Sequence, residues 1–154
     1  MQLKQTLLIK LKKWKMQNNV HPKIQELKNQ WNEEQKHGLV ITEYERLYHF
    51  NLLYAEACSR FHYLENCRKE MKDRLYLEFR NNGDAKTDKM AEAMARTSSE
   101  HKQLFEEVRV AERYYLQLRA EIGYLQGKIE AEKSIQISQN IEKRVSMQSG
   151  EGRY

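Results

Sequence analysis

Apolar residues recur along this chain at helical spacing, and two of the patterned stretches are long. In the first, Leu47, Phe50, Tyr54, Ala57, Phe61, Leu64, Met71 and Leu75 follow one another in steps of three and four. The step is interrupted once, where Arg68 takes the place between Leu64 and Met71. Alternation of this kind draws one apolar seam down a helix. It predicts a helix over 42–80, opened by Thr42 with Glu45 three residues on, the S/T-x-x-E capping box. A charged residue on such a seam marks solvent, a register lock or a binding site. In the second stretch Leu104, Val108, Ala111, Tyr115, Leu118, Ile122, Leu125 and Ile129 repeat the same alternation. They predict a helix over 99–142, capped by Ser98 or Ser99.

Shorter patterns flank these two. Leu7, Leu11 and Trp14, with Leu3 and Leu8 beside them, predict an amphipathic basic helix over 3–17. The turn formers of "NNVHP" interrupt it, and Pro22 can open a second helix, "PKIQELKNQWNEEQK". Its stripe is Ile24, Leu27 and Trp31, and Gly38 is its expected C-terminal cap. "RNNGDAKTD" predicts a loop, after which Thr87 or Asp88 can cap a short helix over 88–96. "SMQSGEGRY" has no period and is expected to be disordered. Two long helices with matching seams and a compact connector predict an all-α fold built on an antiparallel hairpin. The expected division is a basic helical arm over 1–38, a hairpin over 39–145 and a tail over 146–154. A lone hairpin leaves one flank of its seam exposed, which predicts self-association. The candidate residues for it are Leu104, Val108, Tyr115, Leu118, Ile122, Leu125 and Ile129.

Composition narrows the function classes. At 154 residues the chain is one domain's worth, and 32% charged residues with a mean hydropathy of −0.93 leave a modest core. No run approaches the roughly 20 apolar residues of a membrane span. The start, "MQLKQTLLIKLKKW", does not read as a signal peptide, because lysines interrupt its apolar residues. Cys58 and Cys67 lie about 13 Å apart along one predicted helix, too far for a bridge. A reducing compartment, the cytoplasm, is the expected setting. The net charge is +5, and residues 1–36, with eight lysines and three acids, account for all of it. A basic arm on a neutral body suits a polyanionic partner: nucleic acid, an anionic membrane or an acidic protein.

Catalytic chemistry is sparse. Cys58 and His62 share a helix face, but two ligands fall short of the four of a structural zinc site. Glu106 and Glu107 are adjacent and point apart. There is no glycine-rich phosphate loop, no H-E-x-x-H and no G-x-S-x-G, so neither an enzyme nor a cofactor is expected. More informative is the basic run Arg68, Lys69, Lys72, Arg74 and Arg80, flanked by Tyr76 and Phe79. Cations that neutralise phosphates beside rings that stack on bases are what sequence-tolerant single-strand binding requires. Lys69 and Lys72 share a face, whereas Arg74 lies about 200° around the helix from Lys72. The bland alternative is a solvated face with i, i+4 pairs such as Glu65–Lys69.

"MKDRLYLEFRNNGD" resembles the lysine-x-arginine helix end, aromatic step and Gly-Asp loop of the UvsY-like recombination mediators of tailed phages. The short alanine-rich segment, the serine-marked restart and the helix "VRVAERYYLQLRAEIGYLQGKIEAEKSI" resemble that family's C-terminal oligomerisation half. The likeness covers 69–137, under half of the chain. It implies a ring-like homo-oligomer that binds single-stranded DNA, displaces the single-strand-binding protein and helps load a RecA-like recombinase. It places Lys72 and Arg74 at the DNA contact; Asp73 between them departs from the pattern. Residues, charge and resemblance together nominate Lys72, Arg74, Lys69 and Arg80 for the strand, with Tyr76 as a stacking platform and the N-terminal lysines as a second contact. A helical scaffold docking a protein through Leu7, Leu11 and Trp14 is the first rival expectation. Membrane attachment through the 3–17 helix is the second.

Overall fold

The computed structural model of the chain describes residues 20–150, with side chains over 20–148. The expected helix over 3–17 and its Leu7–Leu11–Trp14 stripe therefore lie outside the described residues. Those residues form four helices and no strand: α1, Pro22–Lys36; α2, Glu43–Asn81; α3, Asp88–Thr97; and α4, Ser99–Gly150. The all-α class read from the sequence is the class observed. The chain falls into two compact units, Met1–Ile41 and Thr42–Tyr154.

In the first unit α1 opens on Pro22, whose ring pre-sets the helical φ and whose missing N–H leaves no donor unpaired in the first turn. His21 caps it, its Nδ1 accepting from the Lys23 N–H at 3.3 Å. Ile24 and Trp31 are buried. The helix ends in a Schellman motif: the Gly38 N–H donates to the Gln35 carbonyl and the Leu39 N–H to that of Glu34, both at 3.0 Å. Gly38 follows the cap residue His37 with φ +82°, a conformation that costs a side chain dearly.

In the second unit Thr42 and Glu45 form the expected capping box. Thr42 Oγ1 accepts from the Glu45 N–H at 3.2 Å, and the Glu45 carboxylate accepts from the Thr42 N–H at 2.8 Å. These bonds favour the ionised acid and hold the Glu45 carboxyl below its ordinary range. At the far end of α2 the Gly83 N–H reaches the Arg80 carbonyl and the Ala85 N–H reaches that of Phe79. Thr87 then caps α3 through the Met90 N–H. Ser98 separates α3 from α4 with an extended ψ of 147°. Its hydroxyl donates to the Ala95 carbonyl at 2.9 Å and accepts from the His101 N–H at 3.2 Å, ending one helix and starting the next.

The seams are the core. Phe50, Ala57, Leu64 and Leu75 of α2 are buried, as are Val108, Leu118, Ile122, Leu125 and Ile129 of α4. Partners descend along α4 as they ascend along α2. Glu43 pairs with Lys128, Tyr54 and Phe61 stack on Tyr115 at 5.2 and 5.7 Å, Arg68 lies over Phe105, and Arg74 pairs with Glu100. Ala85, Ala91 and Ala95 are buried, and side chains this small let α3 approach closely. At 52 residues α4 is longer than α2 at 39, a difference of about 20 Å of helix. Beyond Ile129 every described side chain of α4 is exposed, and Lys133 lies over the Tyr44 ring of α2. The helix extends past the expected end at 142 and takes in 146–150 of the segment expected to lack structure.

Candidate nucleic-acid interface

Where α2, α3 and α4 meet, a cavity of about 410 Å³ is lined by Arg68, Lys72, Arg96, His101, Lys102 and Phe105. Small-ligand pockets occupy about 300–1,000 Å³. Arg68 and Lys72 are one turn apart on α2, Arg96 ends α3, and the other three come from the first two turns of α4. Ser98 is what gathers them, since its turn brings the end of α3 directly onto the start of α4.

The four cations are in two conditions. Arg68 donates two bonds of 2.8 Å to the Glu65 carboxylate, from Nε and a terminal nitrogen. That grip holds the Glu65 carboxyl below its usual range and raises the guanidinium. Arg96 sits 3.8 Å from Glu92. Lys72 and Lys102 have no ion pair among the described residues. The nearby acid Glu100 is turned away to Arg74 at 2.9 Å. Two positive charges at the cavity are thus matched and two are not.

Among the described residues His101 is the one buried polar residue, 7% exposed. The backbone of Arg96 takes a hydrogen bond from its ring, and its Nε2 has no partner. Burial, followed by the charge of Arg68 and then of Lys72 and Arg96, holds the imidazole below its ordinary range, against the opposing pull of that backbone bond. Phe105 stacks on His101 at 6.5 Å, lies under Arg68 at 5.9 Å, and keeps 44% of its surface exposed. The arrangement combines free cations, an unmatched imidazole nitrogen and an accessible ring, which together suit an anion carrying a flat group.

Of the five residues nominated from sequence, only Lys72 lines this cavity. Lys69 is exposed and outside it. Arg74 is paired with Glu100. Arg80 donates to the Ala85 carbonyl at 3.2 Å and pairs with Asp88 at 3.1 Å. The Tyr76 hydroxyl donates to the same Asp88 carboxylate, a bond that pushes the phenol up. These three hold the α2–α3 loop and the α4 start in place. Glu65, expected opposite Lys69, is bound to Arg68 instead. Arg96, His101, Lys102 and Phe105 were not singled out by sequence. Extending the second seam three residues back from Leu104 reaches His101, a polar seam position to set beside Arg68, and that signal was present. The residues nominated for self-association are buried or half-buried within the single chain.

Among the described residues no cluster of three or more His, Cys, Asp or Glu side chains could hold a metal ion, and no helix is long and apolar enough to cross a membrane. Compared with known protein families, characterised proteins and solved structures, the chain matches none of them.

Proposed function

We propose that this protein binds single-stranded DNA at the cleft between α2, α3 and α4, in the role of a recombination mediator that acts as a homo-oligomer. One observation carries the binding: Lys72 and Lys102, from different helices, line the same cavity without an ion pair among the described residues, beside the accessible Phe105 ring. The mediator role, with displacement of a single-strand-binding protein and loading of a RecA-like recombinase, rests on the resemblance of 69–137 to the UvsY-like family. In this reading α2 and α4 form a long hairpin with α3 in its connector. Because the α4 seam is already buried, self-association draws on the exposed end of that helix.

The test is fluorescence anisotropy of labelled oligo-dT across a salt titration. Each phosphate neutralised on a single strand contributes about −0.7 to the slope of log K against log salt. The cavity lysines alone therefore give the wild type a slope of about −1.4, steeper with the N-terminal lysines. No binding by folded protein at low salt removes the proposal. A second reading, a helical scaffold for another protein, is favoured by one feature. Ile135, Ile137, Ile141 and Val145 are 57–60% exposed at the end of α4. An oligomeric, DNA-indifferent protein that loses its assembly in Ile137→Asp/Ile141→Asp fits that reading.

A further inference from the structure

A strand lying in a groove presents one negative charge per phosphodiester, with two non-bridging oxygens. Here Glu65 holds Arg68 and Glu92 neighbours Arg96, leaving Lys72 and Lys102 as two positive charges unmatched among the described residues on one open cavity. A phosphomonoester carries about −1.5 to −2 at pH 7 and three strong acceptor oxygens. A third donor is close at hand. His101 lines the cavity, its Nε2 is buried without a partner among the described residues, and an anion beside the ring favours the imidazolium, whose Nε2–H donates. Glu100, next to His101 in the chain, is held by Arg74, which offsets its charge toward a dianion.

We propose that this cavity takes the terminal phosphomonoester of a DNA strand, held by Lys72, Lys102 and His101, with the end base against the exposed part of Phe105. The protein then distinguishes strand ends from strand interiors, which phosphate neutralisation alone does not do. This deepens the reading above and rests on it, since the cleft is taken as the DNA site.

The test compares three oligo-dT probes of one length in the full chain at a fixed, near-physiological salt. One carries a 5′-phosphate, one a 3′-phosphate and one neither, each labelled at an end without the phosphate. The expected result is at least fivefold tighter binding of one phosphorylated probe, and loss of that advantage in Lys72→Ala. The same loss is expected in His101→Gln, provided its melting curve shows it folded. Inorganic phosphate at millimolar concentration should displace the phosphorylated probe only weakly. Equal affinity for all three probes overturns the end-specific site and leaves strand binding standing. Displacement by micromolar inorganic phosphate overturns it in favour of a small free anion. Binding of none of the probes removes both the end-specific site and the reading beneath it.

Discussion

The basic run of α2 divides into two groups with opposite fates, although a few residues of one helix separate them. Arg74 and Arg80, with Tyr76, are bound to Glu100, Asp88 and the Ala85 carbonyl, so their donors serve the junction of three helices. Lys72 lines the cavity with no ion pair among the described residues, and Lys102 joins it from α4. A positive charge already matched to a carboxylate offers little to a phosphate, because the incoming anion must displace or repel the acid. The number of cations in a stretch is thus a poor guide to binding. Which of them lack an acid is the better one.

The strongest way to break this contrast is to compare paired double variants in strand binding. Removing one phosphate contact at 0.1 M salt lowers affinity about fivefold, from the slope of about 0.7 per contact. Lys72→Ala/Lys102→Ala should bind oligo-dT about 25-fold more weakly, with a salt slope shallower by about 1.4. Arg74→Ala/Arg80→Ala should stay within about twofold of wild type, since neither side chain is available to the strand. The opposite ranking would return the site to the lysine-x-arginine pair.

Stability should reverse the order. Arg80→Ala removes a bond to a backbone carbonyl, worth about 0.5–1.5 kcal/mol, and an ion pair worth up to about 1 kcal/mol. A loss of about 1–2 kcal/mol is expected by urea unfolding, whereas Lys72→Ala should leave the midpoint unchanged or slightly raised as repulsion around His101 falls. Destabilisation by Lys72→Ala as large as that by Arg80→Ala would mean that both groups are structural.

The fold was legible because its signals are local. The three-four steps that marked Val108, Leu118, Ile122, Leu125 and Ile129 report a helix's own periodicity, and all five are buried. The Thr42–Glu45 box is likewise contained in four residues. The site was not local. Arg74 meets Glu100 across 26 residues, and the cavity draws on three helices. Arg68 and Lys69 both lie within about 60° of Lys72 around the helix, so spacing in α2 did not reveal that the cavity would take Arg68 and omit Lys69. Only a pairing of the two seams, with His101 read as a seam position, puts Lys72 opposite the start of α4.

His101 sharpens the contrast through pH. Its imidazole binds a proton less tightly in the folded chain than in the unfolded one. The unfolded state therefore takes up more protons near the ordinary imidazole pKa of about 6.5. Stability from this group is present above that pH and is lost as the pH falls through and below it. Melting temperature should decline between pH 7.5 and 5.5. In Lys72→Ala, with one of the cations that depress the imidazole removed, the decline should be smaller. Arg74→Ala/Glu100→Gln, which removes both charges of that pair, should decline as the wild type does. A decline of equal size in all three proteins would assign it to other groups.

The smallest expected effect is the most discriminating for the sequence reading. Arg74 and Glu100 are 62% and 59% exposed, so their ion pair is screened by solvent and worth about 0–1 kcal/mol. Arg74→Ala alone should move the unfolding midpoint little. It does, however, release Glu100, one residue before His101 and two before Lys102. A freed carboxylate there lowers the positive potential that an anion meets, and the effect is screened at high salt. Oligo-dT affinity should therefore fall by less than twofold at low salt and return to the wild-type value at high salt. Arg74→Ala/Glu100→Gln should bind as wild type at every salt, because it removes both charges. If the double variant binds as weakly as Lys72→Ala, Arg74 touches the strand itself and the division of the basic run into two groups fails.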